Sequence, residues 1–423
     1  MKTVGQALTE GLRARGVEVV FGIPGVHTIE LYRGLAGSGI RHVTPRHEQG
    51  AGFMADGYAR ISGKPGVAFV ITGPGLTNVL TAMAQAKAES VPTLVISGVN
   101  RRASLGQGLG LLHELPDQAG MVRALCPSFQ VTGPEALERC LNLAFAAMLG
   151  GRPGPAHIEV PTDVMGMEAA PAPPLMPALV LPPCPGLIQQ AVVMLKESTR
   201  PVILAGGGAR RADVAGLATA LDVPVVQTVN ARGLVAGALS VAASPSLDAV
   251  RALIAGADQI LALGTEFGPT DYDMYVRGGL PDMGGMIRVD ICAAQLARHP
   301  AALTIKADAA AVCAALISAL PRRAQGDGAA RAAACLRAAQ AEIASLSTTM
   351  PGQIALLEAF AMRCRGRLWW ATAPSLSMPG TCFTGMIARG AGSMPRQATA
   401  RLALHRGRQR GLRLRHRAPA CFA

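Results

Sequence analysis

Thr44-Pro-Arg-His-Glu-Gln-Gly-Ala-Gly-Phe-Met-Ala-Asp-Gly-Tyr-Ala-Arg60 is the stretch that decides how this chain folds. It follows a short apolar run at residues 40–44. Within it Ala51, Met54, Ala55 and Tyr58 recur at i, i+3, i+4 and i+7. That spacing predicts an amphipathic helix directly after a strand, ended by Gly63 and Pro65. Glu48 then stands at the mouth of the helix, and Gly50, Ala51 and Gly52 let the helix approach its neighbour closely. A partly buried carboxylate titrates above its usual range and can carry a proton. A glutamate at a helix start also has a plainer role, because the helix dipole favours negative charge there.

Working outward, the same strand–helix rhythm continues. Residues 3–15 have helical apolar spacing and stop at Gly16. Residues 18–21 predict a strand that enters Gly22-Ile-Pro-Gly25, and residues 27–37 a helix. Residues 67–72 predict a buried strand, Gly73-Pro-Gly75 a turn, residues 76–89 a helix and residues 91–98 another strand. Alternation of this kind implies a parallel sheet with helices on both faces. A Pro- and Ala-rich linker at 168–186 leads to a second α/β unit. Its strands are expected at 201–205, 224–228, 259–263 and 287–290, with a Gly206-Gly-Gly208 turn and a helix at 212–221. The expected fold class is therefore α/β, with two doubly wound parallel-sheet domains. The boundaries read as 1–167 for the first domain, 187–325 for a Rossmann-like central domain, 326–362 for a helical connector containing an Ala-rich helix at 328–347, and 363–423 for an irregular basic tail.

Composition narrows the function classes. The chain has 423 residues, half of them hydrophobic, enough for two or three cored domains. No apolar run approaches the roughly 20 residues of a membrane span. The N-terminus reads as a helix start and lacks a signal-peptide apolar region. Nine scattered cysteines with no C-x-x-C pair predict reduced thiols and a cytoplasmic protein. The net charge of +13 belongs to the tail: residues 363–423 hold twelve Arg and no acid, leaving 28 basic against 27 acidic residues before them. A nucleic-acid reading of the whole chain thereby loses its main support.

Five motifs occur in order: Phe21-Gly-Ile-Pro-Gly25, Arg46-His-Glu-Gln-Gly-Ala51, Ala55-Asp-Gly-Tyr-Ala-Arg60, Thr72-Gly-Pro-Gly-Leu-Thr-Asn78 and Arg152-Pro-Gly-Pro-Ala-His-Ile-Glu-Val-Pro161. Together they resemble the pyrimidine-binding domain of thiamine-diphosphate enzymes of the acetolactate synthase-like family. Arg200-Pro-Val-Ile-Leu-Ala-Gly-Gly-Gly208, Val229-Asn-Ala-Arg-Gly233 and Leu263-Gly-Thr-Glu266 resemble that family's central domain less specifically. The resemblance implies thiamine diphosphate as cofactor, a 2-oxo acid as small-molecule substrate, and either decarboxylation or carboligation. It implies that Glu48 hydrogen-bonds N1′ of the aminopyrimidine. Gly73, Pro74 and Gly75 would let backbone approach the cofactor, with Asn78 beside it. Gly22, Ile23, Pro24 and Gly25 would face the substrate pocket. His47 either faces that pocket or is a satisfied structural residue. Gln107 and His113 match a pocket glutamine or substrate contact loosely. Gly206-Gly-Gly208 has Arg211 where a dinucleotide fingerprint needs a small residue, so it reads as a structural turn. Asp290 reads as an ordinary loop residue. Whether FAD binds is left open.

The family's diphosphate end is expected to need Mg²⁺, held through Gly-Asp-Gly or a close variant in a third domain. Gly326-Asp-Gly328 has no strand before it and is not that motif, so the metal ligands are expected to be missing from this chain. The tail has two readings. One is a basic segment for nucleic acid or membrane. The other is out-of-frame translation of the missing domain, with the chain a truncated enzyme. Codons formed from the last base of one codon and the first two of the next turn Trp369-Trp370-Ala371 into Val-Gly. The following positions permit Asp-Ser-Thr-Gln-Pro-Val-Tyr-Ala-Gly, which is similar to the start of the diphosphate domain in a decarboxylase branch of the family that includes guanidino-2-oxo-acid enzymes. In the intact family the cofactor lies at a homo-oligomer interface. The chain as written is expected to have little activity; the alternatives are a non-catalytic fragment docking a full-length relative and a nucleic-acid binder through residues 396–417.

Overall fold

The computed structural model describes residues 2–170, 182–283, 285–321 and 326–346. The expected linker lies partly outside these residues. The basic tail, with its reading-frame argument, lies wholly outside them. The chain divides into two compact units, Met1–Val180 and Leu181–Ala423.

In the first unit, β1 (Val19–Gly22), β2 (Arg41–Val43), β3 (Gly66–Val70), β4 (Thr93–Val99), β5 (Ser128–Gln130) and β6 (Pro155–Pro161) pair in the order β2-β1-β3-β4-β6-β5. Every pairing is parallel. Helices α1 (Val4–Ala14), α2 (Ile29–Leu35), α3 (Glu48–Ser62), α4 (Pro74–Ala88), α5 (Gln118–Arg123) and α6 (Leu137–Leu149) connect the strands. The central strands are covered on both faces, which is why they read as continuous apolar runs rather than alternating ones. Val67 and Phe69 of β3 join Leu8, Leu12 and Leu141 in one core. Ala68 and Val70, pointing the other way, join Ala51, Ala55, Val79 and Met83 in the second.

Local chemistry sets the helix ends. Thr3 and Gln6 form a capping box at α1, the Gln6 N–H donating to Thr3 Oγ1 at 3.3 Å and the Thr3 N–H to Gln6 Oε1 at 2.9 Å. Gly63, at φ +70°, ends α3 in the left-handed conformation. The buried face of α3 is Ala51, Gly52, Ala55, Asp56 and Ala59, whereas Met54, expected in the buried stripe, is 36% exposed. The stripe turns because α3 crosses α4 too closely for large side chains. A Cβ on Gly52 would lie 2.5 Å from Ala82 Cβ and 2.7 Å from Val79 Cγ2.

In the second unit, β7 (Pro201–Ala205), β8 (Val225–Gln227), β9 (Ser240–Val241), β10 (Gln259–Leu263), β11 (Ile287–Asp290) and β12 (Leu303–Lys306) pair in the order β12-β11-β10-β7-β8-β9, again all parallel. The helix Gly328–Leu346 lays Ala332, Cys335, Ala339 and Ile343 into the core formed by Val226, Val250 and Ile260. Both sheets are thus the doubly wound parallel kind that the strand–helix alternation predicts.

Candidate cofactor site

In the first sheet the chain order reverses between β1 and β3, and ligands of doubly wound sheets bind beyond the carboxyl ends of the strands at such a reversal. Three segments meet this position: Gly22–Gly25 after β1, the β2–α3 connection carrying Glu48, and Thr72–Gly75 after β3. The first loop is closed by Thr28, whose Oγ1 accepts from the Gly25 N–H at 3.1 Å. Gly22 is there because the backbone is crowded. A Cβ on it would lie 2.2 Å from the Phe69 carbonyl oxygen and 2.6 Å from the Tyr32 hydroxyl. Ile23 is half-buried and Pro24 exposed.

Glu48 is half-buried at the first turn of α3, and Asn78 Nδ2 of α4 donates to its Oε2 at 2.9 Å. Among the described residues this is the one hydrogen bond given to that carboxylate by a side chain. Gly75 lies alongside, where an added Cβ would come 3.6 Å from Glu48 Oε1. Gly73 starts α4 at φ +64°, ψ −106°, and a Cβ there would lie 2.3 Å from the His113 carbonyl oxygen. Pro74, exposed, takes the first helical position, where its missing N–H is harmless. Glu48, Asn78, Gly73 and Gly75 are therefore brought together, with Asn78 supporting the glutamate directly.

Other predicted site residues are placed differently. His47 is exposed, and its Nδ1 caps α3 by accepting from the Gln49 N–H at 3.2 Å. Gln107 is exposed. His113 does reach the site, with φ +60° and its ring 6.2 Å, edge to face, from that of His27.

Four residues are at the site without having been singled out in the sequence. His27 Nδ1 is 2.8 Å from Thr72 Oγ1, and burial, then the neighbouring His113, lower its pKa. The only signal for it was its position two residues after Gly25. Tyr32 packs edge-on to His42 and Phe69, and its hydroxyl is buried without a hydrogen-bond partner. Burial and then the Glu48 charge raise its pKa. His42 Nε2 donates to the Gly22 carbonyl at 2.9 Å, which fixes its tautomer. The fourth, Gln118, accepts from the Gly73 N–H at 3.1 Å.

In the second unit the glycines of Gly206–Gly208 serve close packing. Cβ atoms on Gly206 and Gly208 would lie 2.3 Å from the Gly264 carbonyl oxygen and 2.9 Å from Gly264 Cα. Asp290 accepts from the Cys292 N–H at 2.8 Å. Among the described residues no three His, Cys, Asp or Glu side chains converge on a metal-sized site, and no helix is long and apolar enough to cross a membrane.

A carboxylate braced by an amide, a glycine-lined approach and an unpartnered buried hydroxyl fit a flat heterocycle bearing a ring nitrogen and an amine. The sequence comparisons agree. Residues 2–121 match the N-terminal TPP-binding domain of thiamine pyrophosphate enzymes and residues 188–316 their central domain, and the chain belongs to this family. It is 45% identical over 370 residues to the probable 2-ketoarginine decarboxylase AruI of Pseudomonas aeruginosa, covering 84% of this chain and 65% of that protein. Acetolactate synthase of Arthrospira platensis is 36% identical over 243 residues, 54% of this chain and 42% of that one. The chloroplastic acetolactate synthase of Arabidopsis thaliana is 37% identical over 209 residues, 48% and 31% of the two chains. The chain spans less than two thirds of the length of each of these relatives.

Proposed function

We propose that this chain carries the pyrimidine-binding and central domains of a thiamine-diphosphate-dependent enzyme that decarboxylates a 2-oxo acid. The single observation behind this is the Asn78–Glu48 pair set beside the Gly73–Gly75 turn at the sheet's reversal point. Glu48 holds and exchanges a proton at N1′ of the pyrimidine, and Asn78 fixes the rotamer that presents it. Gly73 and Gly75 admit the ring, while the Gly22–Gly25 loop, His27 and His113 border the space for the 2-oxo acid. When bound, thiamine diphosphate supplies the electron sink for loss of CO₂. A guanidino-2-oxo acid is the substrate class suggested by the decarboxylase relative; carboligation of the acetolactate type would use the same residues.

The diphosphate end would need Mg²⁺ and a domain from a second subunit of a homo-oligomer. The re-framed tail, whose shifted codons give Val-Gly and then permit Asp, is where we place the remnant of that domain. The chain as written is accordingly proposed to bind the cofactor weakly and to turn over slowly or not at all. Dispersed thiols suit a cytoplasmic setting.

Calorimetric titration with thiamine diphosphate, with and without Mg²⁺, tests the site. Weak binding that Glu48→Gln abolishes is expected. Equal binding by Glu48→Gln and the native chain would remove the role given to this carboxylate. Rapid turnover of pyruvate or a longer 2-oxo acid by the native chain would refute its impairment. An intact reading frame in the gene across codons 358–370, with no displaced domain, would refute the tail reading.

A further inference from the structure

Behind the cofactor turn lies a closed set of buried polar groups that the proposed chemistry does not use. Gln118, the first residue of α5, is 3% exposed and sits across the carboxyl ends of β3, β4 and β6. Its Oε1 accepts from the Gly73 N–H at 3.1 Å. Its Nε2 faces the Gly98 carbonyl at 2.8 Å, Ser97 Oγ at 3.1 Å and Glu159 Oε2 at 3.1 Å. Glu159, 2% exposed, also accepts from Gln130 Nε2 at 2.7 Å. Ser97 Oγ continues to His157 Nε2 at 2.9 Å, and His157 Nδ1 to Ser128 Oγ at 2.8 Å.

Chemistry alone orients this amide. Turned over, it would set its NH₂ against the Gly73 N–H and its oxygen against both a carboxylate and a carbonyl. A buried carboxylate behind the amide therefore dictates that an acceptor faces Gly73. The turn needs such an acceptor, because Gly73 is gripped from two sides. The His113 carbonyl occupies the space a Cβ would take, and the N–H opposite would otherwise be buried unpaired. Five residues further on, the same helix carries Asn78 to Glu48.

We propose that Gln118, oriented by Glu159, is a positioning residue that holds the Gly73 turn in the shape the cofactor requires. It rests on the function proposed above. Burial raises the pKa of Glu159, and the Gln118 and Gln130 amides oppose that rise, with Asp117 and Arg123 the further charges acting on it.

The test combines two substitutions with two readouts: amide exchange at Gly73 and thiamine diphosphate affinity. Gln118→Met keeps the length and removes the amide. We expect the Gly73 amide to lose at least tenfold in protection, amides in β4 and β6 to keep theirs, and affinity to fall roughly tenfold. Gln118→Glu sets two carboxyls together, which retain one shared proton to a higher pH than either would alone. That variant should match the native chain near pH 5.5 and the methionine variant near pH 8. Equal loss of protection across β4, β6 and Gly73, with no recovery of Gln118→Glu at low pH, would reduce Gln118 to a stabiliser of the fold and overturn the inference. Unchanged Gly73 protection in Gln118→Met would overturn it too. Absence of any cofactor affinity in the native chain sinks the functional reading instead, and the exchange at Gly73 distinguishes the two failures.

Discussion

Alanine at Gly52 and at Gly57 should move stability in opposite directions, although both positions lie in α3. At Gly57 an added Cβ meets nothing within 4 Å. Replacing a helical glycine by alanine there should stabilise by about 0.5–1 kcal/mol. At Gly52 the same methyl would lie 2.5 Å from Ala82 Cβ and 2.7 Å from Val79 Cγ2. Carbon atoms pack best at roughly 3.5–4.0 Å, so α3 and α4 must part by about 1 Å. Overpacking of this size costs about 1–3 kcal/mol. Glu48 is one turn before Gly52 and Asn78 one turn before Ala82, so the same displacement stretches their 2.9 Å hydrogen bond. Losing a bond to a charged group adds about 1.5–3 kcal/mol. Against the helix gain, Gly52→Ala should come out about 1.5–5.5 kcal/mol less stable than the native chain, and about 2–6.5 kcal/mol below Gly57→Ala. Urea unfolding of the three proteins measures this. Variants that agree within about 0.5 kcal/mol would refute the claim that bare backbone at Gly52 sets the distance between Glu48 and Asn78.

Gly73→Ala combines a left-handed φ with a backbone oxygen 2.3 Å from the new Cβ, and should cost about 2–4 kcal/mol in the same assay. Asp56→Asn breaks the Arg60–Asp56 pair (2.5 Å, side chains 12% and 9% exposed) while leaving Glu89 at 3.3 Å from Arg60. We expect a loss of about 2–3 kcal/mol, below that of a fully buried pair because a second acid remains, and little dependence on salt. His157 is fully buried between two serines, and burial pushes its pKa down to about 3. The unfolded chain takes up this proton below roughly pH 6.5 and the folded chain does not, so stability should fall as pH drops from 6.5 towards 3. Urea midpoints between pH 7 and 4 should fall less steeply in His157→Gln than in the native chain.

Much of this architecture is legible in the sequence because parallel strands buried on both faces write themselves as apolar runs. Residues 259–263 and 287–290 emerge as strands with the bounds the sequence predicts. Short edge strands such as Ser128–Gln130 and Ser240–Val241 carry too few residues to show a period. The face of α3 was misjudged at Met54 because a hydrophobic pattern gives most weight to large residues, while the crossing uses Gly52 and Ala55. At the site, Glu48 and the Gly73–Gly75 turn were readable from motif and position. His27 and Gln118 were not, since each gains its meaning from partners 45 residues away in sequence, Thr72 and Gly73 respectively. No local pattern encodes a contact of that span.

The crossing at Gly52 leaves the two walls of the site unequal in what they could tolerate over time. Where helices touch through naked main chain there is no slack, and a replacement that widens the gap also pulls Glu48 away from Asn78. Residues 106–112, which lead up to His113, have open space around Gly108 and Gly110, although their φ of +65° and +68° keeps glycine favoured at those two positions. Diversification towards bulkier or differently charged acids would have to begin at the non-glycine positions of that segment, and a laboratory library would do well to vary them first.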